Sequence, residues 1–375
     1  VTGSRAVSRR AAAIAFGAIS PLGRGEAALG LGALGEPPRT AFARDEALAS
    51  RGSSRPIVAR VPVEKLTIAA DEDPAAAYLL AALDDLAAEL ARRGVDPSAL
   101  RIGVSIGTSS GGMRAAERLF EARARSVELD APAHANATYF APFGRACDAL
   151  RARGFQLARR AHLTTACAAS TWAIGVALRW LREGAVDLAI AGGYDALGPF
   201  VVAGFEALRA TTASRPQPFR TGRDGLALGE GAALVALVPE GSSLSQNPPF
   251  LIGGFGASTD AVHVTAPDRT GRGLARAAQV ALGDAGLAPR DVALVGAHGT
   301  ATAFNDAMES RAIALALSGL DPLVFALKSQ LGHALGAAGA LESLAAGEAL
   351  RRRITPATAG DAPVDPDARV RLAER

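Results

Sequence analysis

The stretch Ala166-Cys167-Ala168-Ala169-Ser170-Thr171-Trp172-Ala173-Ile174-Gly175-Val176-Ala177-Leu178-Arg179-Trp180-Leu181-Arg182 runs on into Val186-Asp187-Leu188-Ala189-Ile190-Ala191. Small residues open a helix that is apolar on most faces, arginines close it, and a strand-like apolar run follows. A helix apolar all round is a buried helix, not a surface one. The pattern returns later in the chain. Leu181-Arg182 begins fourteen residues after Cys167, and Leu350-Arg351 begins fourteen residues after Gly336, which also precedes two alanines. Two buried helices at matching places predict a duplicated fold with a central helical layer.

Working outward, glycine-bounded apolar runs predict strands over Ala11–Ala18, Arg101–Ile106, Val186–Ala191, Ala232–Val238, Leu251–Phe255, Val292–Ala297 and Leu323–Leu327. Alanine-rich 3.6-residue patterns predict helices over Pro74–Arg93, Ala115–Ala124, Ala168–Glu183, Gly271–Gly286, Asp306–Leu317 and Ala337–Arg353. Strands alternating with helices of this length indicate layered α/β architecture. The polar stretch from Gly241 to Pro249 has no apolar periodicity and divides the chain into halves, 1–240 and 250–375. Segments from about Gly30 to Leu66 and from Asp130 to Gly154 read as irregular insertions on the first half.

Composition narrows the function. Hydrophobic residues make up 49% and charged residues 21% of the 375-residue chain, the balance of a soluble globular protein. No uninterrupted apolar run reaches the roughly 18 residues that a membrane span needs. No aromatic residues interleave with a basic stripe, which argues against nucleic-acid binding. Two cysteines, Cys147 and Cys167, give neither a disulfide framework nor metal-ligand spacing, and fit a reducing cytoplasm. Arg9-Arg10 before an apolar run imitates an export signal, but Ser20 and Pro21 interrupt that run, and it reads as the first buried strand. The only lysines are Lys65 and Lys328. In so arginine-rich a chain, Lys328 marks a place where a compact ammonium is needed.

Three short strings carry the chemistry. Thr165-Ala166-Cys167 sets a thiol at the start of the predicted helix, where unpaired N–H groups favour a thiolate and a developing oxyanion. His298-Gly299-Thr300-Ala301-Thr302 follows a predicted strand and sets an imidazole and two hydroxyls at its exit. Lys328-Ser329-Gln330-Leu331-Gly332-His333 adds an ammonium and a second imidazole across a strand-to-helix turn. Each residue alone has an ordinary structural reading, as a buried thiol, a turn histidine or a strand-end charge. Together, a thiol, two imidazoles and an ammonium suit acyl-thioester chemistry better than metal or phosphate chemistry.

These strings, with Gly192-Gly193, Arg215-Pro216, Arg223-Asp224-Gly225, Gly229-Glu230-Gly231, Ser258-Thr259-Asp260, and Asp306 with Glu309, resemble the β-ketoacyl-acyl-carrier-protein synthases, most of all the synthase II type. The resemblance runs from about Ala11 to the end of the chain. It implies a thiolase-like α/β fold of two similar halves, layered α-β-α-β-α with two five-stranded sheets. It implies an acyltransferase that extends a cysteine-bound acyl group by decarboxylative Claisen condensation with malonyl-acyl-carrier protein, in fatty-acid or polyketide synthesis. In that frame Cys167 is the nucleophile, and His298 and His333 promote decarboxylation and steady the enolate. Lys328 sets their electrostatics. Thr300 and Thr302 touch the pantetheine arm, and Asp306 and Glu309 support the site, Glu309 near Lys328. Ser110 and Phe205 match positions that line the acyl pocket, where the small Ser110 leaves room for a long or rigid chain. No metal and no cofactor of the chain's own is expected, because phosphopantetheine arrives on the acyl carrier protein. The expected assembly is a homodimer or a synthase heterodimer.

The resemblance also implies a Phe- and Gly-rich loop and a final strand after Leu372, and neither is found before Arg375. Either the sequence is a piece of a longer protein or the subunit is impaired; in the second case it is a catalytically impaired, chain-length-factor-like partner, although such subunits lack the nucleophile that Cys167 provides. A thiolase would need a second catalytic cysteine near the C-terminus, and Cys147 lies in the first half.

Overall fold

The computed structural model describes residues 9–32, 37–62, 66, 68, 72–263 and 266–374. Lys65 and parts of the segment from Gly30 to Leu66 lie outside them. The main sheet runs in the order Phe250–Ile252, Ala11–Ser20, Gly231–Pro239, Leu188–Asp195, Ile102–Gly107, Leu157–Leu163, with short Gly23–Arg24 off this path. Its first four strands pair antiparallel and its last three in parallel.

Alternation along the strands decides the layers. Ala12, Ile14, Leu188, Ile190, Leu234 and Ala236 face one core, shared with Leu79, Leu83 and Leu86 of the helix Pro74–Arg92. Their neighbours Ala11, Ala13, Ala189, Ala191, Val235 and Leu237 face another, shared with the helices Ala169–Arg182 and Ala338–Arg352. A sheet covered on both faces needs near-continuous apolar strands, which is how these read. Beyond the two central helices lies a parallel sheet of Leu294–Gly296, Leu323–Phe325 and Arg371–Leu372. The helices Arg272–Ala285 and Ala303–Ala316 share a further core with Val292 and Val295. Helix, sheet, helix, sheet, helix is the layered α/β arrangement expected.

The central helices form a matched pair. A 3-10 turn Ala166–Ala168 precedes one, and a 3-10 turn Leu335–Ala337 precedes the other. Ala166 and Leu335 both adopt left-handed backbone, φ 49° and 51°. The helices pack closely enough that a Cβ at Gly339 would lie 2.0 Å from Thr171 Oγ1. Across the same contact the Ala340 N–H donates to Ser170 Oγ at 2.9 Å.

Several expectations are corrected. The segment from Asp130 to Gly154 is not irregular, for it forms the helices Ala131–Asn136 and Ala141–Ala152, the first capped by the Asp130 side chain. Leu157–Leu163 is a strand that reads as polar because Arg159 and Arg160 are exposed at the sheet's edge. Phe250–Ile252 joins the first sheet by pairing with Ala11–Ala13, so among the described residues the second sheet has three strands, not five. Within the segment from Gly30 to Leu66, Phe42–Arg44 and Ile57–Ala59 form a small sheet with Leu228–Gly229.

Candidate active site

Cys167 sits in the turn Ala166–Ala168, at the mouth of the first central helix. The strained φ of Ala166, of a kind that costs an L-residue about 1–3 kcal/mol, persists only where the surroundings over-determine it. Protein packed around the sulfur pushes the thiol up to about 11, with Lys328 pulling the other way. This corrects the expectation of a lowered thiol pKa: at this helix start burial outweighs the N–H groups and the nearby ammonium.

Cys167 Sγ lies 2.9 Å from His333 Nε2. The Leu335 N–H donates to His333 Nδ1 at 3.1 Å. A neutral imidazole that accepts at Nδ1 carries its hydrogen on Nε2. His333 therefore presents an N–H donor toward the sulfur. The second ring repeats this logic. Lys328 Nζ lies 3.2 Å from His298 Nδ1, and an ammonium can only donate, so His298 also carries its hydrogen on Nε2. The two rings stand perpendicular with centroids 5.2 Å apart. Burial first, and the Lys328 charge second, hold both imidazoles well below the usual histidine range. Both stay neutral, each with its hydrogen on Nε2.

Lys328 is 1% exposed, at the start of the short helix Lys328–Leu331. Its ion-pair partner is Glu342 on the second central helix, a residue the sequence reading missed. Glu309 does not bond Lys328; it accepts from the His298 N–H at 2.6 Å and the Gly299 N–H at 2.8 Å, fixing the strand exit that carries the imidazole. Asp306 accepts from the Phe219 N–H at 2.8 Å and the Ala301 N–H at 3.1 Å. Its burial raises the carboxyl to about 7.

The ligand atoms of Cys167, His298 and His333 lie within 4.8 Å of one another, close enough for a metal ion. The chemistry of the donors opposes one. A metal needs the Nε2 lone pairs, yet both Nδ1 atoms already accept hydrogen bonds, and an ammonium stands beside one ring.

Known proteins resemble this chain in both sequence and fold. Residues 66–241 match the β-ketoacyl synthase N-terminal domain and residues 250–360 its C-terminal domain. The 3-oxoacyl-[acyl-carrier-protein] synthase 2 of Staphylococcus aureus (strain N315) is 35% identical over 266 residues, 66% of this chain and 62% of that protein. A putative polyketide beta-ketoacyl synthase 1 of Streptomyces cyaneus is 32% identical over 283 residues, 71% of this chain and 67% of that protein. The solved ishigamide ketosynthase/chain length factor superposes with a TM-score of 0.85 at 30% identity, over 98% of this chain and 92% of that one. The chain belongs to the β-ketoacyl synthase family. It matches 62% of the length of the S. aureus synthase, and its fold is the thiolase-like fold of the solved ketosynthases.

A cleft of about 990 Å³ opens over Cys167, His298 and His333, which line it. Thr300, Thr302 and Phe205 line it too, with the two threonine hydroxyls 2.9 Å apart and the Phe205 ring centroid 6.3 Å from that of His333. Phe304 and His263 are lining residues that the sequence reading did not single out. Ser110 departs from expectation. It is not among the residues lining this cleft; it is 5% exposed, and its hydroxyl donates to Asp195 at 2.6 Å. Asp195, likewise missed, is fully buried two residues after the Gly192-Gly193 pair, in the last position of its strand.

Proposed function

We propose that this chain catalyses decarboxylative Claisen condensation, as a β-ketoacyl-acyl-carrier-protein synthase of fatty-acid or polyketide-type synthesis. The observation that carries this reading is the convergence of two neutral Nε2–H donors, from His298 and His333, beside Cys167 Sγ. In the first step the sulfur attacks the carbonyl carbon of an acyl thioester on the carrier protein. A C–S bond to Cys167 replaces the one to the phosphopantetheine sulfur, which leaves with the thiol's proton. In the second step the malonyl carbon–carbon bond breaks, carbon dioxide leaves, and the electron pair becomes an enolate whose oxygen is met by the two N–H donors. The enolate carbon then attacks the Cys167 thioester; a carbon–carbon bond forms and the cysteine sulfur departs.

Neutral imidazoles suit this work because they stabilise the developing oxygen charge without protonating the carbanion carbon. The Lys328 ammonium keeps them neutral and adds a favourable field. In this reading residues 1–240 bring the nucleophile, residues 250–375 bring the donors, and Thr300 and Thr302 meet the pantetheine arm. The phosphopantetheine comes with the carrier-protein substrate, and the chain brings no cofactor of its own. No described helix is long and apolar enough to cross a membrane. The proposed compartment is the cytoplasm, which keeps Cys167 reduced.

The proposed assembly is a heterodimer, in line with the likeness to the ishigamide ketosynthase/chain length factor. Among the described residues, Leu157–Leu163 ends the main sheet's order, with Ile102–Gly107 as its one neighbour there. Arg159 and Arg160 are exposed on it. A second copy lying antiparallel along this edge sets like charges face to face, which destabilises strand pairing. A partner with an acidic edge fits better.

The test is mass spectrometry of the protein after incubation with acyl-carrier proteins and then with malonyl-carrier protein. An acyl adduct on Cys167 that vanishes as a β-ketoacyl product appears is the expected result. A folded protein that takes no adduct overturns the reading and favours the impaired partner subunit.

A further inference from the structure

Asp195 is a fully buried carboxylate that no step above uses. Five donors converge on it. Oδ1 accepts from Thr108 Oγ1 at 2.7 Å, from the Ser110 N–H at 2.8 Å and from Ser110 Oγ at 2.6 Å. Oδ2 accepts from the Ser109 N–H at 2.7 Å and the Gly336 N–H at 2.6 Å. The first four donors belong to the loop after the strand Ile102–Gly107, in the half that carries the thiol. The fifth belongs to the turn that opens the other half's central helix. Gly336 directly follows Leu335, whose left-handed N–H fixes the tautomer of His333. There is no slack at the contact. A Cβ added at Gly336 would lie 2.6 Å from Ser109 N and 2.7 Å from Asp195 Oδ2.

We propose that Asp195 is a positioning residue for condensation: by gripping Gly336 from the nucleophile's half, it aims the Leu335 N–H at His333 Nδ1 and so holds the His333 Nε2–H toward the reacting oxygen. Two N–H groups on one oxygen, a hydroxyl pair and an N–H on the other, need a carboxylate's acceptors on both sides. An amide there satisfies one side and opposes the other. This inference deepens the proposed condensation and rests on it for the meaning of the donor, but not for the donor's orientation.

The experiment is Asp195→Asn in the full chain, with folding checked by circular dichroism. Its readout is nitrogen-15 NMR of labelled histidine, whose chemical shifts separate the Nε2–H from the Nδ1–H tautomer. His333 is expected as the single Nε2–H tautomer in the parent and as a mixture in the variant. Malonyl decarboxylation is expected to fall at least tenfold, with acylation of Cys167 within a few-fold of the parent. A folded variant that keeps the single Nε2–H tautomer and the parent decarboxylation rate overturns the proposal. If Asp195→Asn does not fold, Thr108→Val, which keeps the charge and removes one donor, is read instead. It is expected to mix the tautomers to a smaller extent, and an unmixed signal there overturns the proposal equally. If the parent protein itself shows no decarboxylation, the proposed condensation fails while the tautomer measurement still decides the role of Asp195.

Discussion

The turns Ala166–Ala168 and Leu335–Ala337 share a backbone but not a duty. Both begin left-handed, at φ 49° and 51°, and both feed a buried helix. Around the first, Thr164, Thr165, Ala166 and Ala168 are exposed, and the turn offers a side chain, Cys167, to the cleft. The second is buried throughout, and at Gly336 no side chain fits. It offers backbone N–H groups instead, one to His333 and one to Asp195. One duplicated backbone thus presents a thiol at the first turn and, at the second, a support for the His333 imidazole. The difference lies in what covers each turn, not in its conformation.

That division can be broken one side at a time. His298→Ala removes a donor from the second half alone; decarboxylation is expected to fall by about 10²–10³ while Cys167 still takes an acyl group. Equal loss of both steps, read by mass spectrometry, would contradict separate duties. Lys328→Met comes next. It leaves Glu342 without its cation, an uncompensated buried charge worth about 3–5 kcal/mol of stability, measurable by denaturant unfolding. It also removes a charge that lowers both imidazoles, so their pKa values rise and, at a less acidic pH, the rings become acids able to protonate the carbanion carbon. The acid limb of the decarboxylation profile should therefore move to higher pH, and an unmoved limb would exclude Lys328 as its cause.

Charge reversal sharpens the edge comparison. The Arg159→Glu/Arg160→Glu double variant is expected to pair with the parent chain in sedimentation more readily than either pairs with itself, increasingly so as salt is lowered. A salt-insensitive dimer of the parent chain alone would contradict the acidic-partner reading. The smallest expected effect is at Ser110→Ile. The change leaves Asp195 short of a buried hydrogen bond and is expected to cost about 1–3 kcal/mol. Unchanged thermal stability with a changed acyl-length profile would make residue 110 a pocket wall after all.

Much of this was legible in the sequence because it is written locally. The central helices are apolar on most faces and end in arginine, and Cys167, His298 and His333 each stand at a break between apolar run and small-residue turn. The strand Leu157–Leu163 was not legible, because an edge strand with outward arginines lacks the apolar signal of its buried neighbours. Asp195 and Glu342 were missed for a different reason. Each is a single acidic residue in apolar surroundings whose partner is not a sequence neighbour: Gly336, 141 residues from Asp195 in the other half, and Lys328, 14 residues from Glu342 on a different helix. The direction of the Cys167 shift was misjudged because a helix start shows in sequence, whereas the protein lying over it does not.

The most direct measurement uses Cys167→Ala with malonyl-acyl-carrier protein and no acyl donor. With His298, His333 and Lys328 intact, the variant is expected to release carbon dioxide and accumulate acetyl-acyl-carrier protein, while forming no adduct and no β-ketoacyl product. A folded variant that leaves malonyl-acyl-carrier protein untouched would contradict the claim that His298, His333 and Lys328 support decarboxylation without the Cys167 thiol.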